Sequence, residues 1–313
     1  VEFNEDVGLD TSQVEDTRSS PGGGIGGRAA LGGGGIGIVG LVIYFLMSQF
    51  GGGVGGGGGI PLGSTGEVRD GGQVDNANLA EQCRTGSDAN AKHDCALVAI
   101  INSIQAYWSD QFSRSGVTYK PAPTRFFKGG VNTGCGSQTS DTGPFYCPAD
   151  RNGDGLVYID LAFFPQLQRD FGAKGGQFAE AYVLAHEYGH HVQNLLGTSN
   201  RVKRGSGPNS DSVRLELQAD CYAGVWAKHA TTTPVQKGGR PLIRNVSQED
   251  INAAIDVAEK IGDDYIQKNL GDGTVDKSKF SHGSSEQRKK WFNTGMQTGD
   301  PSRCNTFDTN SLG

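Results

Sequence analysis

Apolar positions recur at helical spacing along most of the chain beyond residue 90. Residues 92–113, KHDCALVAIINSIQAYWSDQFS, predict a helix on that pattern. AFFPQLQRDFG predicts a short helix stopped by Gly172, and GQFAEAYVLAHEYGHHVQNLLG a long one stopped by Gly197. SDSVRLELQADCYAGVWAKHA predicts a further helix. SQEDINAAIDVAEKIGDDYIQKNLG predicts one continuous helix, opened by Ser247 with Asp250 three residues on and closed at Gly271. SSEQRKKWFNTGMQTG predicts the last. Between them PAPTRFF, GPFYC and GLVYIDL are short, rich in aromatic or β-branched residues and bounded by Gly, Pro and Asp, which predicts strands of a small antiparallel sheet. The fold class is α+β: a mostly helical domain with one small sheet and no internal repeat.

The first quarter of the chain has a different pattern. Residues 1–32 are polar, acidic and then glycine-rich, and read as a disordered tail. No charge appears from Ala29 to Gly66, and Ile36–Phe50 is strongly apolar. With the neighbouring uncharged residues this is long enough for a transmembrane helix, set at 33–54. A signal-peptide core or a buried helix are the alternatives. The acidic terminus and the late start of the apolar run speak against a signal peptide. Residues 55–74 form a glycine-rich linker, and 75–313 form the folded domain. Nineteen of the fifty glycines lie between Gly22 and Gly59, which leaves an ordinary globular composition for that domain.

Arg18 and Arg28 precede the apolar run and Arg69 follows it, a weak signal for a cytoplasmic N-terminus. All six cysteines lie beyond the run, and none has C-x-x-C spacing. An even, scattered set suggests disulfides in an extracytoplasmic, oxidising compartment. Proximity favours Cys83–Cys95 and Cys135–Cys147, leaving Cys221–Cys304; six buried thiols in a cytosolic protein are the alternative. The formal charge of -6, with no long basic run, argues against nucleic acid as a partner. Through residues 33–54 the implied partner is a lipid bilayer.

The densest chemistry is HEYGHH, residues 186–191. Successive helical residues advance about 100°, so His186 and His190 lie about 40° apart and share a face, while His191 is turned about 140° away. His186-Glu187-x-x-His190 is the pattern in which two histidines bind zinc and the glutamate is the general base. His191 reads as a supporting or surface residue. Catalytic zinc takes three protein ligands and keeps one position open. Leu196 stands where an extended motif would have a third histidine, but the next helix offers Glu216 and Asp220, again four apart. Glu216 can complete the ligand set. Asp220 can accept from the far nitrogen of a liganding histidine. His282 and Tyr222 are candidate oxyanion stabilisers, and a helix-start role is the alternative for His282. His93 and His229 read as surface or helix-end residues. Asp150–Gly155, DRNGDG, has the alternation of a calcium loop, but Leu161 fills its twelfth position and a plain turn is favoured. GLVYID is the candidate edge strand for an extended peptide.

The stretches GPFYCPAD, VYIDLAFF, AHEYGHHVQNLLG, ELQADCYAGVWA and SHGSSEQRKKWF resemble the bacterial neutral zinc metallopeptidases with an N-terminal membrane segment, over about residues 75–305. The set is similar to the gluzincin group of zincins. The resemblance implies a zincin-like domain with one Zn2+ per chain at His186, His190 and Glu216, Glu187 as catalytic residue and Asp220 behind a histidine. DRNGDG departs from the family as a lengthened loop. The function expected is a membrane-anchored zinc peptidase with a peptide or protein substrate as partner; the alternative is a non-catalytic, zinc-stabilised extracytoplasmic binding module, for which Glu187 would be unnecessary.

Overall fold

The helical pattern is realised around one long buried helix. The computed structural model describes residues 1–19, 73–203 and 205–313. Two short helices, α1 (Ala77–Gln82) and α2 (Gly86–Ala91), lead into α3 (His93–Arg114), whose Leu97–Ile101 run is fully buried. An apolar run this continuous belongs to a helix covered on all sides. The helices that follow are α4 (Phe163–Phe171), α5 (Gln177–Leu195) and α6 (Asp211–His229). Gly172, left-handed at φ 63°, stops α4 as its sequence predicts. The long helix predicted from Ser247 to Gly271 is instead two: α7 (Gln248–Lys260) and α8 (Asp263–Asn269). The break falls at Gly262, where a β-carbon would lie 2.4 Å from the backbone nitrogen of Ser285, so the chain can pass there only as glycine. The last helix, α9 (Ser285–Thr298), lies alongside α6.

The sheet is mixed rather than antiparallel. Strands β1 (Glu2–Phe3) and β2 (Val14–Asp16) come first, then β3 (Thr124–Phe127), a hairpin of β4 (Gly130–Thr133) and β5 (Gly136–Thr139), β6 (Phe145–Cys147), β7 (Leu156–Asp160) and β8 (Ile243–Asn245). The main sheet has the order β2-β3-β7-β6, with β2, β3 and β7 parallel and only β6 antiparallel. Helical crossovers of the kind a parallel pair needs separate β2 from β3 through α3. GLVYID, the candidate edge strand, forms β7 and lies between β3 and β6; the edge strands are β2 and β6.

Residues 1–19 are not a disordered tail. Phe3 and Val14 are fully buried, β1 pairs with β8, and β2 closes one side of the main sheet. The acidic charges that suggested disorder have partners far along the chain. Glu15 pairs with Arg125 and, at 2.8 Å, with Arg151. The Asp16 backbone is held as well: its carbonyl accepts the Asp75 N–H at 2.8 Å, and its N–H donates to the Asn76 side-chain oxygen at 2.8 Å. The folded domain therefore comprises residues 1–19 together with the chain from 73 onward. The transmembrane helix assigned to 33–54, and the linker up to residue 72, lie outside the described residues. Among the described residues no helix is long and apolar enough to cross a membrane.

Three disulfides join Cys83 to Cys95, Cys135 to Cys147 and Cys221 to Cys304. The second ties the β4–β5 hairpin to β6; the third ties α6 to the segment after α9.

Candidate metal centre and cleft

Helices α5 and α6 cross where Gly189 meets Ala219, and this contact sets the histidines of one helix against the carboxylates of the other. His186 Nε2 lies 3.2 Å from His190 Nε2 and 3.2 Å from Glu216 Oε2, and His190 Nε2 lies 3.4 Å from Glu216 Oε1. One donor atom from each residue falls within 4.8 Å of the others. The predicted trio is thus brought together.

The far nitrogens decide what this cluster can hold. His186 Nδ1 lies 2.8 Å from Asp220 Oδ1 and His190 Nδ1 lies 2.9 Å from Gln193 Oε1. The Asp220 carboxylate accepts. Gln193 spends its amide nitrogen on Leu215 O at 2.7 Å and Gln218 Oε1 at 3.1 Å, so its oxygen also accepts. Both Nδ1 atoms therefore carry hydrogens, and in the neutral rings both Nε2 lone pairs would face each other and a carboxylate. Three acceptors at this spacing, with no proton between them, repel unless a cation lies among them. Two imidazoles and one carboxylate are a donor set that suits zinc, with a place left open. Where no metal is bound, a proton would serve as that cation. Burial opposes charge on His186, yet the Asp220 charge and hydrogen bonds to Asp220 and Glu216 push its pKa up to about 10. Glu216 is held well below the usual carboxylate range, burial being outweighed by the His190 charge and hydrogen bonds to both histidines.

Asp220 is itself anchored by residues the sequence reading passed over. Arg288 on α9 donates from Nε to Oδ2 and from Nη2 to Oδ1, both at 2.9 Å, and Tyr182 donates its hydroxyl to Oδ1 at 2.6 Å. Burial alone would raise the Asp220 pKa; the Arg288 and His186 charges instead bring it down to about 2. Arg288 lies within SHGSSEQRKKWF, but nothing in its sequence neighbourhood names a buried partner 68 positions away. Gln193 is equally silent in the sequence.

The cluster opens on a cleft of about 430 Å³. Glu187 lines it, and burial raises its pKa above the ordinary value. His282 lines it as well. Its Nδ1 lies 3.1 Å from Asp263 Oδ1, and the other oxygen of Asp263 accepts the backbone N–H groups of Ser281, His282 and Gly283 at 2.7–3.0 Å. Asp263 is the first residue of α8, so the helix break at Gly262 positions this dyad. The other candidate, Tyr222, does not line the cleft: it is 5% exposed and packs edge-on against Trp108. Six positions past Glu216 is about 240° round the helix, which turns it into the core. His191 is fully buried rather than at the surface. It donates from Nε2 to Lys120 O at 2.7 Å and lies 3.0 Å from the Tyr146 hydroxyl. His93 opens α3 beside Glu180, and His229 closes α6 beside Gly299 O. Asp150 is committed to Gly134 N and the Tyr158 hydroxyl, as a structural turn residue would be.

Residues 7–307 match the sequence profile of the family described as "Putative neutral zinc metallopeptidase". The chain is 47% identical over 233 residues to the "Uncharacterized protein Rv2575" of Mycobacterium tuberculosis, covering 74% of this chain and 76% of that protein. It is 37% identical over 308 residues to the "Uncharacterized protein YpfJ" of Escherichia coli, covering 95% of this chain and 96% of the relative. No solved structure matches it.

Proposed function

The chain belongs to the neutral zinc metallopeptidase family, and we propose from this that its cleft hydrolyses peptide bonds, with His186, His190 and Glu216 holding one Zn2+ and Glu187 as general base. The observation that carries the reading is the cluster of His186 Nε2, His190 Nε2 and the Glu216 carboxylate at 3.2–3.4 Å, each ring held from behind by an acceptor. Zinc held there would act as a Lewis acid and acidify water at neutral pH. Glu187 would take a proton from the attacking water on a carboxylate oxygen and deliver it to the departing amine nitrogen as the C–N bond breaks. A positioned general base contributes roughly 10²- to 10⁴-fold. His282, its Nδ1 tied to Asp263, has Nε2 left to donate to the oxygen on which negative charge develops. Asp220, Arg288 and Tyr182 keep the His186 ring in one orientation and one tautomer.

A purely structural zinc site is closed by four ligands; the described residues supply three in this cluster. Three disulfides support an oxidising, extracytoplasmic setting for the folded body. The test is cleavage of a mixed peptide pool by the full chain. Activity abolished by a chelator and restored by zinc is expected; activity indifferent to chelation contradicts the reading.

A further inference from the structure

We propose that the cleft takes an internal stretch of polypeptide and seats a bulky apolar side chain beside Glu187, which makes the enzyme an endopeptidase selective for apolar residues. This deepens the peptidase reading above and rests on it. The apolar walls are Phe163 and Phe171 from α4, Val183 from α5, Ile261 and Ile266 around the α7–α8 break, and Phe145 from β6. Val183 stands four residues before Glu187 on one helix and so shares its face. Ile261 and Ile266 flank Asp263, the residue that holds His282. The apolar compartment therefore adjoins both groups that act on the scissile bond. A side chain buried there would hold the neighbouring peptide bond against them.

The charged groups of the cleft argue the second half. An exopeptidase needs an ionic anchor for a chain end: a cation for a terminal carboxylate, or an acid for a terminal amine. Among the described residues lining the cleft the only basic side chain besides histidine is Arg288. It is committed to both oxygens of Asp220 and, from Nη1, to Ile261 O at 3.3 Å. The acids lining the cleft are Glu187 and Glu216, both part of the catalytic cluster. Among the described residues lining the cleft neither kind of anchor is free for a chain end. The cleft is also lined by Pro144, Tyr146 and Pro148, within and beside the edge strand β6, and a sheet edge is where an extended chain can lie.

The test uses the full chain supplied with zinc and a set of internally quenched peptides differing at one central position, Phe, Ala or Asp. Each peptide is made with free ends and with acetylated and amidated ends. Cleavage sites are read by mass spectrometry. The expected result is internal cleavage, about tenfold or more in kcat/KM for Phe over Ala, and the same rates for blocked and free peptides. A requirement for a free end, or equal rates for Phe, Ala and Asp, overturns the proposal. Ile266→Phe, which fills the compartment, is expected to reduce the Phe-to-Ala ratio several-fold; an unchanged ratio in a folded variant counts against this compartment. Binding of the blocked peptides to the Glu187→Gln variant, followed by fluorescence anisotropy, needs no turnover. A preference for Phe there without cleavage by the natural chain would remove the peptidase reading and keep the apolar site. Cleavage without preference would do the reverse.

Discussion

A β-carbon on Gly189 would stand 2.9 Å from the Cα of Ala219. The glycine inside the HEYGH motif is thus the point at which α5 and α6 touch, and the touch sets the distance from the two imidazoles to Glu216. Gly189→Ala would push the helices apart. Overpacking of this kind costs about 1–3 kcal/mol. Thermal unfolding should show that loss, and competition with a zinc chelator should show weakened metal binding. Unchanged zinc affinity would mean that the crossing does not set the site.

Glu216→Ala removes the only carboxylate of the donor trio. Metal analysis of the purified protein should fall from near one zinc per chain to well below it. Full occupancy would take Glu216 out of the ligand set.

Arg288→Ala leaves Asp220 buried without its cation. Breaking a buried pair costs about 3–5 kcal/mol, and loss of support behind a metal-binding histidine typically costs about 10- to 100-fold in metal affinity. Chemical denaturation and zinc titration measure the two effects separately. Arg288→Lys should recover part of the stability, yet it cannot reproduce the two-pronged contact with Asp220.

The His282–Asp263 dyad gives a pH signature. Burial opposes charge on both, but each outweighs it for the other: His282 is raised above 6.5 and Asp263 lowered below 3.8. A raised histidine stabilises fully below its unfolded pKa of about 6.5 and loses that contribution as pH rises through its folded value. A lowered aspartate stabilises above its unfolded pKa of about 3.9 and loses that contribution as pH falls through its folded value. The stability difference between the natural chain and His282→Gln should therefore be widest between about pH 4 and 6.5. It should narrow on either side. A difference flat across pH would show that the dyad is uncharged.

Removing residues 1–19 strips Phe3 and Val14 from the core and opens the edge of β3. Each apolar side chain is worth about 1.5–3 kcal/mol, so a fragment starting at residue 73 should unfold several degrees lower. Addition of a 1–19 peptide should raise its midpoint. Equal midpoints would show that β1 and β2 contribute nothing.

Local rules carried the sequence reading as far as they apply. Periodicity located α3, α4, α5, α6 and α9, and an angular argument on one helix aligned His186 with His190. Helical spacing also paired Glu216 with Asp220, although facing the two helices toward each other depends on Gly189 and Ala219, which no spacing rule names. What failed was non-local. Residues 1–19 looked solvated because the partners of Glu15, Arg125 and Arg151, lie more than 100 positions away. The break at Gly262 was hidden because its cause, the backbone of Ser285, belongs to another helix. Gln193, Asp263 and Arg288 act through contacts that only the fold creates. Tyr222 sits about 240° round α6 from Glu216, on the face turned into the core, which its nearness in sequence to the motif does not show.

The most direct test of the central claim compares peptide cleavage by the natural chain and by Glu187→Gln at equal zinc content. The account expects both to carry about one zinc per chain, as three intact ligands imply, and only the natural chain to cut. Persistent cleavage by the zinc-loaded Glu187→Gln variant would contradict it.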